Sequence, residues 1–187
     1  MWTTLAILAG ALGVAIGLVI ASSNRLQALN ARCDKAAADI DVQLRHRHQL
    51  VPNLLELLKG FLAHDVKQLE TIAKIQIDAV AATTAQQRQH AESLLGAQLH
   101  QAMYSAMQRP EPQASTHFMS MRNELADCDN KIAAARRFLN LAVEEYNGAL
   151  NSFPNTSLKP LHRLQARTFF DLGLDRPMVE EGPTITF

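Results

Sequence analysis

The sequence predicts an all-α protein, with an N-terminal transmembrane helix followed by an antiparallel four-helix bundle of long helices. Three observations point there. Apolar residues make up 48% of the chain but aromatics only 5%, a balance that favours helix packing over sheet building. Apolar side chains recur at steps of three and four over long runs, the period of one helix face. Thr3 to Ala21 carries no charge and is long enough as a helix to cross a hydrocarbon core of about 30 Å.

That first stretch is read as a retained anchor, residues 1–24. Trp2 stands where an interfacial aromatic sits. Gly10, Gly13 and Gly17 recur about once per turn, and Gly13 with Gly17 makes a G-x-x-x-G spacing that serves either a dimer face or ordinary packing in lipid. A cleaved signal peptide is the rival reading, but the basic segment it needs before the apolar run is missing. Arg25, Arg32 and Lys35 all follow the span, which places a short amino terminus outside and the bulk in the cytoplasm.

Residues 25–157 form the expected helical bundle. Leu26, Leu29, Cys33, Ala36, Ile40 and Leu44 step by threes and fours without Gly or Pro, so the first helix leaves the bilayer unbroken. Asp41 and Arg45 stand at i,i+4 on one face. Pro52 lacks an N–H and disfavours helix at Val51, so a bend is expected there. Leu54, Leu55, Leu58, Phe61 and Leu62 then open a second helix, from about Asn53 to Val80, continued by Val66, Leu69, Ile72 and Ile77. Thr83 or Thr84 caps a third helix, from about Ala85 to Gln108, with Leu95, Leu99, Ala102, Met103 and Ala106 inward. Pro110 and Pro112 end it, and Ser115 or Thr116 opens the next. Phe118, Met121, Leu125, Cys128, Ile132, Ala135, Leu139 and Ala142, then Tyr146, Leu150 and Phe153, form the longest seam, in the manner of a coiled coil. Pro52, Gly60, Phe153 and Pro154 are the expected break and cap positions. Residues 158–187 form an apolar tail with a loose terminus.

Chemistry is harder to find. Eighteen basic and eighteen acidic residues cancel, which argues against a nucleic-acid partner. Cys33 and Cys128 lack metal or redox spacing and read as packing residues. A bridge between them stays open for an oxidising compartment. His46 and His48 are two apart and diverge on a helix, and His64 beside Asp65 is the remaining metal candidate. No nucleophile elbow or phosphate loop occurs. Asp41, Arg45, Asn53, Arg136 and Asn147 lie in or beside apolar seams and are expected to form a polar network that fixes helix register; the alternative is solvated faces with weak ion pairs.

Two long stretches carry a family resemblance. In IDVQLRHRHQLVPNLLELLKGFLAHD the matching positions include Asp41, Gln43, Arg45, Arg47, Pro52, Asn53, Gly60 and His64. In NKIAAARRFLNLAVEEYNGALNSFPN they include Ile132, Arg136, Asn140, Val143, Tyr146, Asn147, Phe153 and Pro154. The chain resembles the LemA family of small bacterial membrane proteins. It departs from the pattern at Leu139, where an aromatic is usual, and at Leu164-Gln165, where Gly-Phe is common.

The resemblance implies a four-helix bundle on one anchor in the bacterial inner membrane, with no established catalysis and no cofactor. It also implies partners among membrane proteins, since members are associated with membrane remodelling and are often encoded near membrane proteases or phosphatase-like domain proteins. The expected function is a non-enzymatic scaffold or adaptor that associates with itself. Alternatives are an accessory factor for a membrane protease or envelope stress pathway, and a cryptic metal-dependent enzyme.

Overall fold

The computed structural model describes residues 1–62, 65–156 and 165–170. Every regular element among them is helical: α1 Trp2–Phe61, α2 Val66–Ala81, α3 Ala85–Met107, α4 Pro110–Ala114 and α5 Thr116–Asn151. The ends are set by local chemistry. The backbone N–H of Gln87 donates to Thr84 Oγ1 at 3.2 Å, and the backbone N–H of Thr84 donates to Gln87 Oε1 at 3.3 Å, a reciprocal capping box at the start of α3. Ser115 Oγ accepts from the N–H of Phe118 at the start of α5. At the end of α1, the Arg109 guanidinium donates to the carbonyl of Phe61, one of the orphans a helix terminus leaves.

The expected bend at Pro52 does not occur, for α1 stays helical through it to Phe61. Proline removes the N–H that would bond the carbonyl four residues earlier, that of His48. Gln76 on α2 fills the gap, its Nε2 donating to His48 O at 2.9 Å. The proline ring itself is exposed. The helix expected from about Asn53 to Val80 is therefore divided between the last part of α1 and α2. Gly60 lies inside α1 and is exposed.

The chain divides into two compact units, and α1 and α5 supply residues to both. Unit 1 holds residues 1–40 and 134–170. Its core interlocks Leu26, Leu29 and Cys33 of α1 with Ala142, Val143, Tyr146 and Leu150 of α5. Burying each leucine contributes about 1.5–3 kcal/mol. Arg32 bridges to Glu145 at 2.6 Å and lies over the Phe138 ring; being exposed, such a pair adds little. The first eighteen residues are all exposed. The start of α1 supplies an apolar window of mean hydropathy 2.5, none of it buried, long enough to cross a membrane. A Cβ added at Gly10, Gly13 or Gly17 would meet nothing within 4 Å.

Unit 2, described over residues 41–62 and 65–133, buries Val51, Leu54, Leu58 and Leu62 at the α1 end, Leu69, Ile72, Ile75 and Ala79 of α2, Leu95, Leu99 and Ala102 of α3, and Phe118, Leu125, Cys128 and Ile132 of α5. Phe61 and Phe118 meet edge to face, centroids 5.7 Å apart. The α2 seam differs from the expected one: Val66 and Ile77 are exposed, and Ile75 and Ala79 take the inner positions. On α5, Ala135 and Leu139 are half-buried, and Phe153 is 87% exposed beyond the helix end. Of the tail residues, only 165–170 fall within the described part.

The proline repair yields a test. Gln76→Ala should lower stability by about 1–3 kcal/mol by orphaning the His48 carbonyl. In a Pro52→Ala background, whose restored N–H bonds that carbonyl, the same substitution should cost much less. Thermal melts of the four proteins of this double-mutant cycle, followed by circular dichroism in detergent, measure the difference.

Candidate functional site

The main concentration of ionisable groups lies in unit 2 and starts from a residue at an apolar seam position. On α1 the seam runs Leu44, Arg47, Val51, Leu54, so helical spacing drives the Arg47 side chain inward, where it is 5% exposed. A charge there requires pairing. Nε and Nη2 donate to Asp129 Oδ1 on α5 at 3.1 and 2.6 Å. Nη1 donates to Glu92 of α3 at both its backbone carbonyl, 3.2 Å, and its Oε2, 3.3 Å. Glu92 occupies the seam position one turn before Leu95 and is 1% exposed.

Asp129 shares its second oxygen with a histidine in a hydrogen bond, His100 Nε2 lying 2.7 Å from Asp129 Oδ2. His48 Nε2 lies 2.7 Å from Glu92 Oε1, an ionic approach in which neither buried atom makes a hydrogen bond of good geometry. The result is a linear chain, His48–Glu92–Arg47–Asp129–His100, that ties α1, α3 and α5. Burial works against ionisation of Asp129. The His100 hydrogen bond and the charge and hydrogen bonds of Arg47 outweigh it, and hold this carboxyl below its ordinary value.

Beside this chain lies a cavity of ≈ 310 Å³, lined by Asp41, Leu44, Arg45, His48, Ala79, Val80, Arg88 and Glu92. Asp41 and Arg88 pair across it at 3.1 Å. A second cavity of unit 2, ≈ 750 Å³, is lined by Met103, Tyr104, Met107 and Leu125 with His100 and Arg122 among others. Among the described residues, no group of three or more His, Cys, Asp and Glu is arranged to hold a metal ion. His46 faces Glu124 at 3.8 Å, and His64 lies outside the described residues. Cys33 and Cys128 are free, buried thiols, each pushed up by burial away from the reactive thiolate form.

In unit 1 the polar residues hold chain rather than charge. Asn147 Nδ2 donates to the carbonyl of Arg167 and Asn147 Oδ1 accepts from its N–H, both at 2.9 Å. Asn140 treats Phe170 the same way, at 2.9 and 2.8 Å. The Tyr146 hydroxyl donates to the carbonyl of Gln165 at 3.1 Å. Arg167 reaches α1, donating to Asn30 at 2.9 Å and Asp34 at 2.6 Å, and Arg136 lies 5.0 Å over the Phe170 ring.

The five expected network residues therefore have separate roles. Asp41 and Arg45 each follow a seam residue by one position, about 100° round the helix, and both are exposed. Asp41 turns to Arg88, while Arg45 bonds the Asp41 backbone carbonyl. Asn53 is exposed. Arg136 and Asn147 belong to unit 1 and the tail contacts. None of the residues of the ionic chain was among the expected five; Arg47 and Glu92 stand as charged side chains at seam positions, and that is the signal that marks them.

Arg47→Ala should destabilise the protein by about 3–5 kcal/mol, because it leaves buried carboxylates uncompensated; the melting temperature checks it. Asp129 also fixes an acid dependence. With its folded value lowered, its contribution is complete above the unfolded value of about 4 and is lost as pH falls through the folded one. Asp129→Asn should flatten that part of the acid limb in melts taken below about pH 4.

A model of the LemA family matches residues 36–187. No curated protein matches the chain. The family match takes in both the ionic chain and the asparagine contacts, and covers most of the sequence: the protein belongs to the LemA family.

Proposed function

We propose that this protein is a membrane-anchored, non-enzymatic helical scaffold that associates with itself in the bacterial inner membrane, its short amino terminus outside and its helical bulk in the cytoplasm. The observation that carries the reading is the start of α1, an uncharged run of mean hydropathy 2.5 with none of its window buried. Leaving such a surface in water is costly, and a bilayer removes the cost. The buried ionisable groups support the non-enzymatic part, for Arg47 spends its hydrogen bonds on Glu92 and Asp129, and Asp129 pairs its other oxygen with His100.

A second reading is an accessory factor that binds client helices for a membrane protease or stress pathway. The methionine-lined cavity at Met103 and Met107 favours it, since flexible thioethers suit an apolar helix face.

Chemical crosslinking in native membranes at native expression separates the two. Adducts at multiples of the monomer mass are expected. A foreign protein captured in stoichiometric amount instead favours the accessory role, and monomer alone overturns self-association.

A further inference from the structure

Unit 1 contains a groove built to hold an extended peptide, occupied by the chain's own residues 165–170. Asn140 and Asn147 are seven residues apart on α5, an advance of about 10.5 Å. The residues they hold, Arg167 and Phe170, are three apart, and three residues cover about 10 Å only when extended. Each amide bonds both the N–H and the C=O of one residue. These are groups any extended chain presents, so the asparagines read backbone and not sequence. Sequence is read at two points. Asn30 and Asp34 accept from the Arg167 guanidinium, which lies 5.8 Å from the Tyr146 ring centroid. Arg136 covers the Phe170 ring at 5.0 Å. The chemistry recognised is an extended peptide with arginine followed three residues later by an aromatic, running antiparallel to α5.

We propose that this groove takes the Gln165–Phe170 segment of a second copy of the chain in place of its own. The proposal rests on the self-association reading and names its site. A second copy's segment brings the same backbone groups, the same guanidinium and the same ring, so exchange loses no contact within the groove. The groove is also at a fixed height. Asn30 and Asp34 follow Ala21 in one unbroken helix, about 14–20 Å along its axis, so copies anchored in one bilayer present groove and segment at matching levels. Confinement to a plane raises their effective concentration. Nine peptide steps join Thr156 to Gln165, a contour of up to about 30 Å.

The test uses full-length chains carrying two different tags, co-expressed in their native membrane, with a photo-crosslinking amino acid at the exposed Thr168. Mixed-tag adducts are expected. They should fall at least tenfold when both copies carry Asn140→Ala with Asn147→Ala. They should return when one copy keeps an intact groove and the other an intact segment, its partner bearing Arg167→Ala with Phe170→Ala. Should the alanine pair lower the melting temperature, Asn140→Asp with Asn147→Asp removes the amide donors at constant shape and is expected to act alike. Adducts confined within single copies of the wild-type protein overturn the exchange. If the two tags still co-purify in that case, self-association stands through another surface; if they do not, both readings fall.

Discussion

A guanidinium placed among leucines is the constraint on which unit 2 depends. Arg47 enters the interior because its helix register leaves it no other direction, and once there it demands acceptors at fixed positions and angles. Glu92 and Asp129 supply them from two other helices. Apolar contacts tolerate sliding, since one methyl group packs against a neighbour much as another does. A forked donor against two carboxylates does not. Replacing such a cluster with hydrocarbon often leaves stability unchanged or improves it, so its use here is better understood as choosing one register of α1 against α3 and α5. His100 takes the remaining oxygen of Asp129, and His48 lies against that of Glu92.

Unit 1 solves a different problem with different groups. Among the described residues its main apolar cluster is modest, shared between α1 and α5, and the tail segment is fixed by amide-to-backbone bonds instead of oil. Asparagine suits that task because its side chain copies a peptide group, with one donor and one acceptor side by side. A carboxylate offers no donor to the carbonyl and an ammonium offers no acceptor to the N–H.

Much of this was legible in the sequence, for reasons of periodicity. The seam from Leu26 to Leu44, the inner face of α3 and most of the α5 seam were readable because each repeats over several turns, and repetition averages out local ambiguity. Thr84 was readable as a cap because its hydroxyl acts on backbone within three residues. Apart from the register of α2, where Val66 and Ile77 face outward, what failed depended on a partner far away in the chain. Pro52 looks like a break until Gln76, distant in sequence, is seen to satisfy the carbonyl it orphans. Asp41 and Arg45 looked like a pair from spacing, whereas Asp41 has a better partner in Arg88. Arg47 and Glu92 left a usable trace, a charge standing in a row of aliphatics, but that trace gives no distance between them.

The two cysteines gain a use from where they lie. Cys33 sits in the core of unit 1 and Cys128 among the buried residues of unit 2, and both are fully shielded. A thiol reagent reaches either sulfur only when the surrounding helices part, so its labelling rate is a clock for opening at that place alone. The native chain thus carries an intrinsic pair of gauges, one per unit, by which breathing of the two halves is timed separately without adding a foreign probe.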